Sequence, residues 1–199
     1  LLFFRITSDL VPFASHPVCD VDWQQYFRHM FEKIGDYIKD HNIRISMHPD
    51  QFTLINSLRE DVFERSCREL EYHCQVLDLM QLDLDAKVQI HVGGVYGDKP
   101  ASIQRFTERY QQLDPLVRRR LIIENDDRQY SLQDCLSISG EVSIPVLFDV
   151  FHHRLLNQNE SLNEAIKAAG QTWSKKDGIL MVDYSSQQPE KRLGSHAES

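Results

Sequence analysis

The sequence predicts an α/β fold built on a parallel sheet. Short apolar runs alternate with segments of helical spacing, each pair taking roughly 25 to 45 residues, which is the signature of successive βα units. Several of these runs are apolar throughout rather than at every second position, as strands covered on both faces are. A third observation narrows the choice. His48, His91, Glu124, Asp149 and Asp183 each stand at the C-terminal end of a different run, and a (β/α)8 TIM barrel brings those ends together on one face. A doubly wound sheet is the competing architecture, but no GxGxxG follows any of the strands.

The first strand is expected at residues 2–6, followed by an irregular stretch punctuated by Pro12 and Pro17. Trp23, Tyr26, Phe27, Met30, Phe31, Ile34, Tyr37 and Ile38 then recur at helical spacing, with Asp22 as N-cap, and all of them are expected on a buried face. A second strand over 43–47 ends at His48, and a helix is expected over 58–82. The third strand, 87–90, ends at His91 and runs into Gly93 and Gly94; a helix over 101–113 follows. The fourth, 121–123, ends at Glu124 before a short helix near 131–137. The fifth, 146–148, delivers Asp149, with His152 and His153 in the next turn, and a helix carries Leu162, Ala165, Ile166 and Ala169. The sixth, 178–182, ends at Asp183.

Size and composition fit one domain spanning 1–199, with 41% hydrophobic residues to build its core. The chain opens on Leu1 and already reads as strand, so a fragment of a longer protein is expected. No run is long and apolar enough for a membrane span, and an intracellular protein follows: cytoplasmic in a prokaryote, nuclear or mitochondrial in a eukaryote. The four cysteines are scattered without a CxxC pair and read as packed free thiols. A net charge of −8, from 30 acidic and 22 basic residues, argues against nonspecific nucleic-acid binding. A site for divalent cations, however, needs carboxylates that enter this sum as negative charge.

Placing an ionisable group at the end of strand after strand is costly unless the groups are paired or bind metal. Mixed His and carboxylate donors without cysteine suit Mn, Zn or Fe, and their number exceeds what one ion uses, which points to two or three. Clustered divalent metals serve phosphoester hydrolysis: they lower the pKa of a water and stabilise the leaving alkoxide. A sugar isomerase or epimerase is the competing use of the same architecture.

Six stretches in order, RITSDLVPFASHP (5–17), SMHPDQF (46–52), HVGGVYGDK (91–99), IIENDDR (122–128), PVLFDVFHHR (145–154) and YSSQQPEKRLGSHAE (184–198), resemble the UV damage endonuclease family. The resemblance covers nearly the whole chain. It implies an incomplete TIM barrel lacking the first and last strands, related to the endonuclease IV and xylose isomerase barrels. It also implies a metal-dependent DNA repair enzyme cutting damaged double-stranded DNA 5′ to UV photoproducts and leaving a 3′-hydroxyl. A monomer is expected, and no protein partner is indicated. The metal site would be His16, His48, His91, Glu124, Asp149, His152, Asp183 and His196, with Glu124, Asp149, His152 and Asp183 carrying catalysis and Mn the expected ion (Zn, Fe or Mg the alternatives). Of these, His16 and His196 lie in irregular stretches and rest on the resemblance alone. Gln51 and Phe52 match the pair that the family pushes into the duplex where damaged bases leave the stack. Arg128, Arg154, Lys191 and Arg192 are candidate phosphate contacts. Two positions depart from the pattern. Met181 stands where the family carries a Lys, often modified to a carboxylate, and Asp183 stands where it carries a His. Asp183 still offers a hard oxygen, whereas Met181 offers none, so a damage-binding homologue impaired in catalysis is the third reading.

Overall fold

The computed structural model describes residues 2–188. Six parallel strands lie in sequence order: β1 (Leu2–Ile6), β2 (Ile43–Met47), β3 (Lys87–His91), β4 (Leu121–Glu124), β5 (Val146–Asp149) and β6 (Val182–Asp183). The connecting helices are α1 (Trp23–Asp40), α2 (Glu60–Leu79), α3 (Lys99–Gln112), α4 (Pro115–Arg118), α5 (Leu132–Val142), α6 (Val150–Leu155) and α7 (Leu162–Gln171). All neighbouring strands pair in parallel, as βα crossovers require. The sheet curls far enough that Arg5 in β1 reaches Asp183 in β6, at 2.6 Å. The result is an open barrel segment, as the alternation of strands and helices predicts.

Val88, Ile90, Leu121, Ile123, Val146 and Phe148 are fully or almost fully buried in the main core. Strand alternation sends the intervening residues inward. There Ile122, Leu147 and Met181 form a separate small cluster with Trp173 packed against it. Each of the three lies two positions before a ligand-type residue, so the carboxylates stand on an apolar floor. Deeper still, Lys87 Nζ donates to Asp177 Oδ1 at 2.6 Å, and the Arg44 guanidinium donates to the carbonyls of Asp177 and Ile179 at 2.9 and 2.8 Å. A 3-10 turn at Lys175–Asp177 thus closes the bottom of the barrel.

Differences from the expected elements have local causes. In α1, Trp23, Phe31 and Ile38 are buried, but Tyr26, Met30 and Tyr37 are exposed. These three lie on one flank of an apolar arc wider than the strip a helix presses against a sheet. On the buried side α1 runs close to the end of α2: a Cβ on Gly35 would lie 1.8 Å from the Met80 carbonyl oxygen. The second helix starts at Glu60, since Arg59 is its extended N-cap. The sixth strand shrinks to Val182–Asp183, and α6, a six-residue helix, is too short for periodicity to reveal. All four cysteines are free. No helix among the described residues is long and apolar enough to cross a membrane.

Candidate metal centre

Ladder register builds the site. His91 is the ladder partner of Glu124, and Asp149 that of Asp183, so two side-by-side pairs project from the C-terminal end of the sheet. His48 joins from the residue after β2. Glu124 Oε1 lies 2.8 Å from His91 Nε2 and 3.1 Å from His48 Nε2. Two groups of candidate ligand atoms result, each with its atoms within 4.8 Å of one another: His48, His91 and Glu124, and Glu124, Asp149 and Asp183. Glu124 belongs to both.

The donor set and its orientation fit divalent cations. Backbone carbonyls only accept, so the His48 Nδ1–H that meets Pro49 O at 2.6 Å and the His152 Nδ1–H that meets Asn125 O at 2.9 Å both carry protons. A cation at either ring would therefore meet Nε2, the arrangement second-shell carbonyls impose at metal sites; of the two, His48 belongs to a ligand group and points its Nε2 at Glu124 Oε1. The first group then offers imidazole nitrogens and one carboxylate, the second three carboxylates, a hard and borderline set suited to Mn, Zn or Fe.

His152 lies in the first turn of α6, which Asp149 caps: Asp149 Oδ1 accepts from His152 N at 2.7 Å, and Oδ2 lies 3.6 Å from His152 Nδ1. The His91 and His152 rings are 5.9 Å apart. His153 turns away and packs edge-on against Phe148. His16 lies on an exposed loop where its Nδ1 accepts from Val18 N at 3.1 Å, and it joins neither ligand group. His196, Lys191 and Arg192 lie outside the described residues. Arg128 donates to Asp127, and Arg154 lies over the Tyr184 ring at 5.9 Å.

Gln51 and Phe52 form the exposed tip of the loop after β2, Phe52 being 71% exposed. Asp50 Oδ1 accepts from Phe52 N at 2.7 Å and holds the turn. The tip edges a cleft of about 400 Å³ lined by His48, Gln51, His91, Gly94 and Arg128 among others. Asn56 Nδ2 and Tyr130 Oη donate to Gly94 O at 2.9 and 3.0 Å, tying the loops after β2, β3 and β4 together. Gly93 has a φ of +113°, and a Cβ there would lie 2.3 Å from Asn56 Oδ1, so this turn needs glycine.

Three polar residues that sequence reasoning passed over support the ligands. Asn125 bonds both backbone groups of Asp149, at 3.0 Å each, and extends the β4–β5 pairing beyond its last rung. Gln89 and Arg5 lie beneath Glu124 and Asp183. One signal for Gln89 was present in the sequence: it is a polar residue in the middle of β3, two positions before a ligand-type residue.

The charges interlock. Burial alone would push the His91 ring down, but Glu124, with Asp126 and Asp149, outweighs it and holds the ring at about 9 against an ordinary 6.5. Burial would raise Glu124, yet the His91 and His48 rings hold it well below the carboxylate range. Asp149 is raised, by burial first and by the charges of Glu124 and Asp183, against the opposing pull of His152. Because the folded value of His91 lies above its unfolded one, the pair contributes stability that is complete below about pH 6.5 and lost as pH rises through about 9. A cation on His91 displaces that proton. Melting in EDTA should therefore fall across this window, and proton release on metal addition should fade across it; a flat profile for both would contradict the pairing.

Taken together, the fold and site define an α/β-barrel segment with a His and carboxylate cluster at its strand ends. The chain belongs to the UV-endonuclease UvdE family, which it matches over residues 1–199. It is 42% identical over 201 residues to the UV DNA damage endonuclease of Clostridium perfringens (strain 13 / Type A), covering all of this chain and 49% of that protein. To the enzyme of that name from Bacillus mycoides (strain KBAB4) it is 37% identical over 195 residues, 98% of this chain and 62% of that one. The chain thus spans about half to three-fifths of these relatives' length. The crystal structure of SacUVDE superposes with a TM-score of 0.94 at 46% identity, covering 99% of this chain and 66% of that one. Endonuclease IV from Thermus thermophilus (TM-score 0.64, covering 99% of this chain and 72% of that one) and a D-psicose 3-epimerase (0.63, covering 96% and 66%) are each 14% identical and share the fold alone.

Proposed function

We propose that this chain carries the metal centre of a DNA repair endonuclease that hydrolyses the phosphodiester 5′ to UV photoproducts in duplex DNA, with manganese as the resident ion. The observation that carries the reading is Glu124, shared between two ligand groups beside a cleft edged by the exposed Gln51–Phe52 tip. His48, His91 and Glu124 would hold one cation, and Glu124, Asp149 and Asp183 a second, with His152 oriented towards the same cluster. Cations bound there supply charge for the phosphate oxygens and lower the pKa of a water. The chain's own part is to orient these donors, through Pro49 O, Asn125 O and the Asp149 cap, and to place an aromatic and an amide where they can enter the base stack.

Met181 favours a second reading. Packed with Ile122 and Leu147, it supplies no oxygen to the cluster, which suits a homologue that binds lesions without cutting them. An epimerase is disfavoured by Phe52, which protrudes into solvent at the tip of its loop instead of packing over the ligand cluster.

The test incubates the full-length protein with UV-irradiated and undamaged duplexes, with Mn²⁺ or with EDTA. Nicking confined to irradiated DNA and Mn²⁺ is expected, and Phe52→Ala should weaken lesion binding by about 1–3 kcal/mol, the value of one base–aromatic stack. Absence of metal-dependent nicking would overturn the endonuclease reading, and binding without nicking would select the second one.

A further inference from the structure

Gln89 is a primary amide with no solvent exposure, in the middle of β3. Alternation aims it inward beneath the ligand cluster, on the face of His91. An amide buried there is costly unless its groups are used. They are: Oε1 accepts from Arg5 Nη2 at 3.0 Å, while Nε2 donates to Glu124 Oε2 at 2.8 Å and to Asp183 Oδ2 at 3.0 Å. Arg5 Nη2 also donates to Asp183 Oδ2 at 2.6 Å. A guanidinium only donates, so its contact fixes which end of the amide faces the carboxylates.

The consequence reaches both ligand groups. With Oε2 held by Gln89, Glu124 presents Oε1 to His48 and His91. The same Nε2 restrains Asp183, a member of the second group. Three carboxylates within 4.8 Å of one another repel in the absence of a cation. Gln89 restrains two of them with an uncharged donor, and the Arg5 guanidinium on Asp183 Oδ2 offsets part of the repulsion from one side.

We propose that Gln89 is a positioning residue of the metal centre, presetting Glu124 and Asp183 for their cations while Arg5 fixes the orientation of its amide. This deepens the metal reading given above and rests on it. Hydrogen-bonding partners of metal ligands typically change affinity 10- to 100-fold when removed, and that is the expected scale.

Isothermal titration of the full-length protein with Mn²⁺ tests it, with unfolding in EDTA followed separately by circular dichroism. Gln89→Met keeps the approximate shape and loses the donated bonds; Gln89→Ala leaves room for water instead of an apolar plug. Both should bind Mn²⁺ about 10- to 100-fold more weakly than wild type. Affinity within about twofold of wild type in both variants would overturn the inference, including where they melt lower in EDTA, because that pattern marks a purely structural residue. Failure of both to fold, with or without Mn²⁺, would overturn it on the same ground. If the wild type itself takes up no Mn²⁺, the metal reading falls and the inference falls with it.

Discussion

Glu124→Ala should remove both cations at once and lower lesion-specific cleavage by at least about 10³-fold, beyond the ~10²–10³ typical of losing one electrostatic donor. The reason is position. Glu124 is buried, its Oε1 meets two imidazole rings, and it belongs to both ligand groups. His48→Ala should differ in kind, because His48 belongs to one group alone, and should lower metal content by about one ion. Elemental analysis of the purified variants checks this directly. Unchanged metal content in Glu124→Ala would remove the shared carboxylate from the account.

The largest effect on stability is expected at the opposite end of the barrel. Lys87 has no exposed surface, and its ammonium is held by Asp177 Oδ1 at 2.6 Å and Arg119 O at 3.1 Å. Asp177 also caps its own turn through Ser174. Breaking one half of such a buried pair strands a charge, so Asp177→Ala should cost about 3–5 kcal/mol in denaturant unfolding. The paired replacement Lys87→Met with Asp177→Leu should recover much of that, since an apolar pair of similar volume needs no compensating charge. Burial would raise Asp177, but Lys87 and Ser174 hold it below its ordinary 3.8. Its contribution is therefore present above that value and lost as pH falls through the lowered one. A loss under about 1 kcal/mol would show the pair to be solvated in practice.

Much of this molecule was legible in the sequence, and the residues show why. The first, fourth and fifth strands announce themselves as apolar runs and the second and third as short alternating ones, and His48, His91, Glu124, Asp149 and Asp183 stand out because an ionisable group ends each of five strands. Positions that depend on three-dimensional packing were not legible. Tyr26, Met30 and Tyr37 share the helical period of buried residues yet face solvent, since periodicity gives the width of an apolar arc and not how much of it a neighbour covers. His16 belongs to an irregular stretch in which no period constrains the side chain, and it lies on an exposed loop as a member of neither ligand group. Gln89 and Asn125 act on the ligands rather than as ligands, and only coordinates show which groups their amides meet. Met181 reads in the sequence as a missing functional group, and in the structure as the third member of an apolar floor with Ile122 and Leu147.

The central claim is that one carboxylate joins two cation positions. Anomalous diffraction from crystals of the full-length protein soaked in Mn²⁺ tests it most directly. The account predicts two peaks flanking Glu124, one bounded by His48 and His91 and the other by Asp149 and Asp183. Peaks that avoid Glu124, or a single ion held without it, would contradict the account.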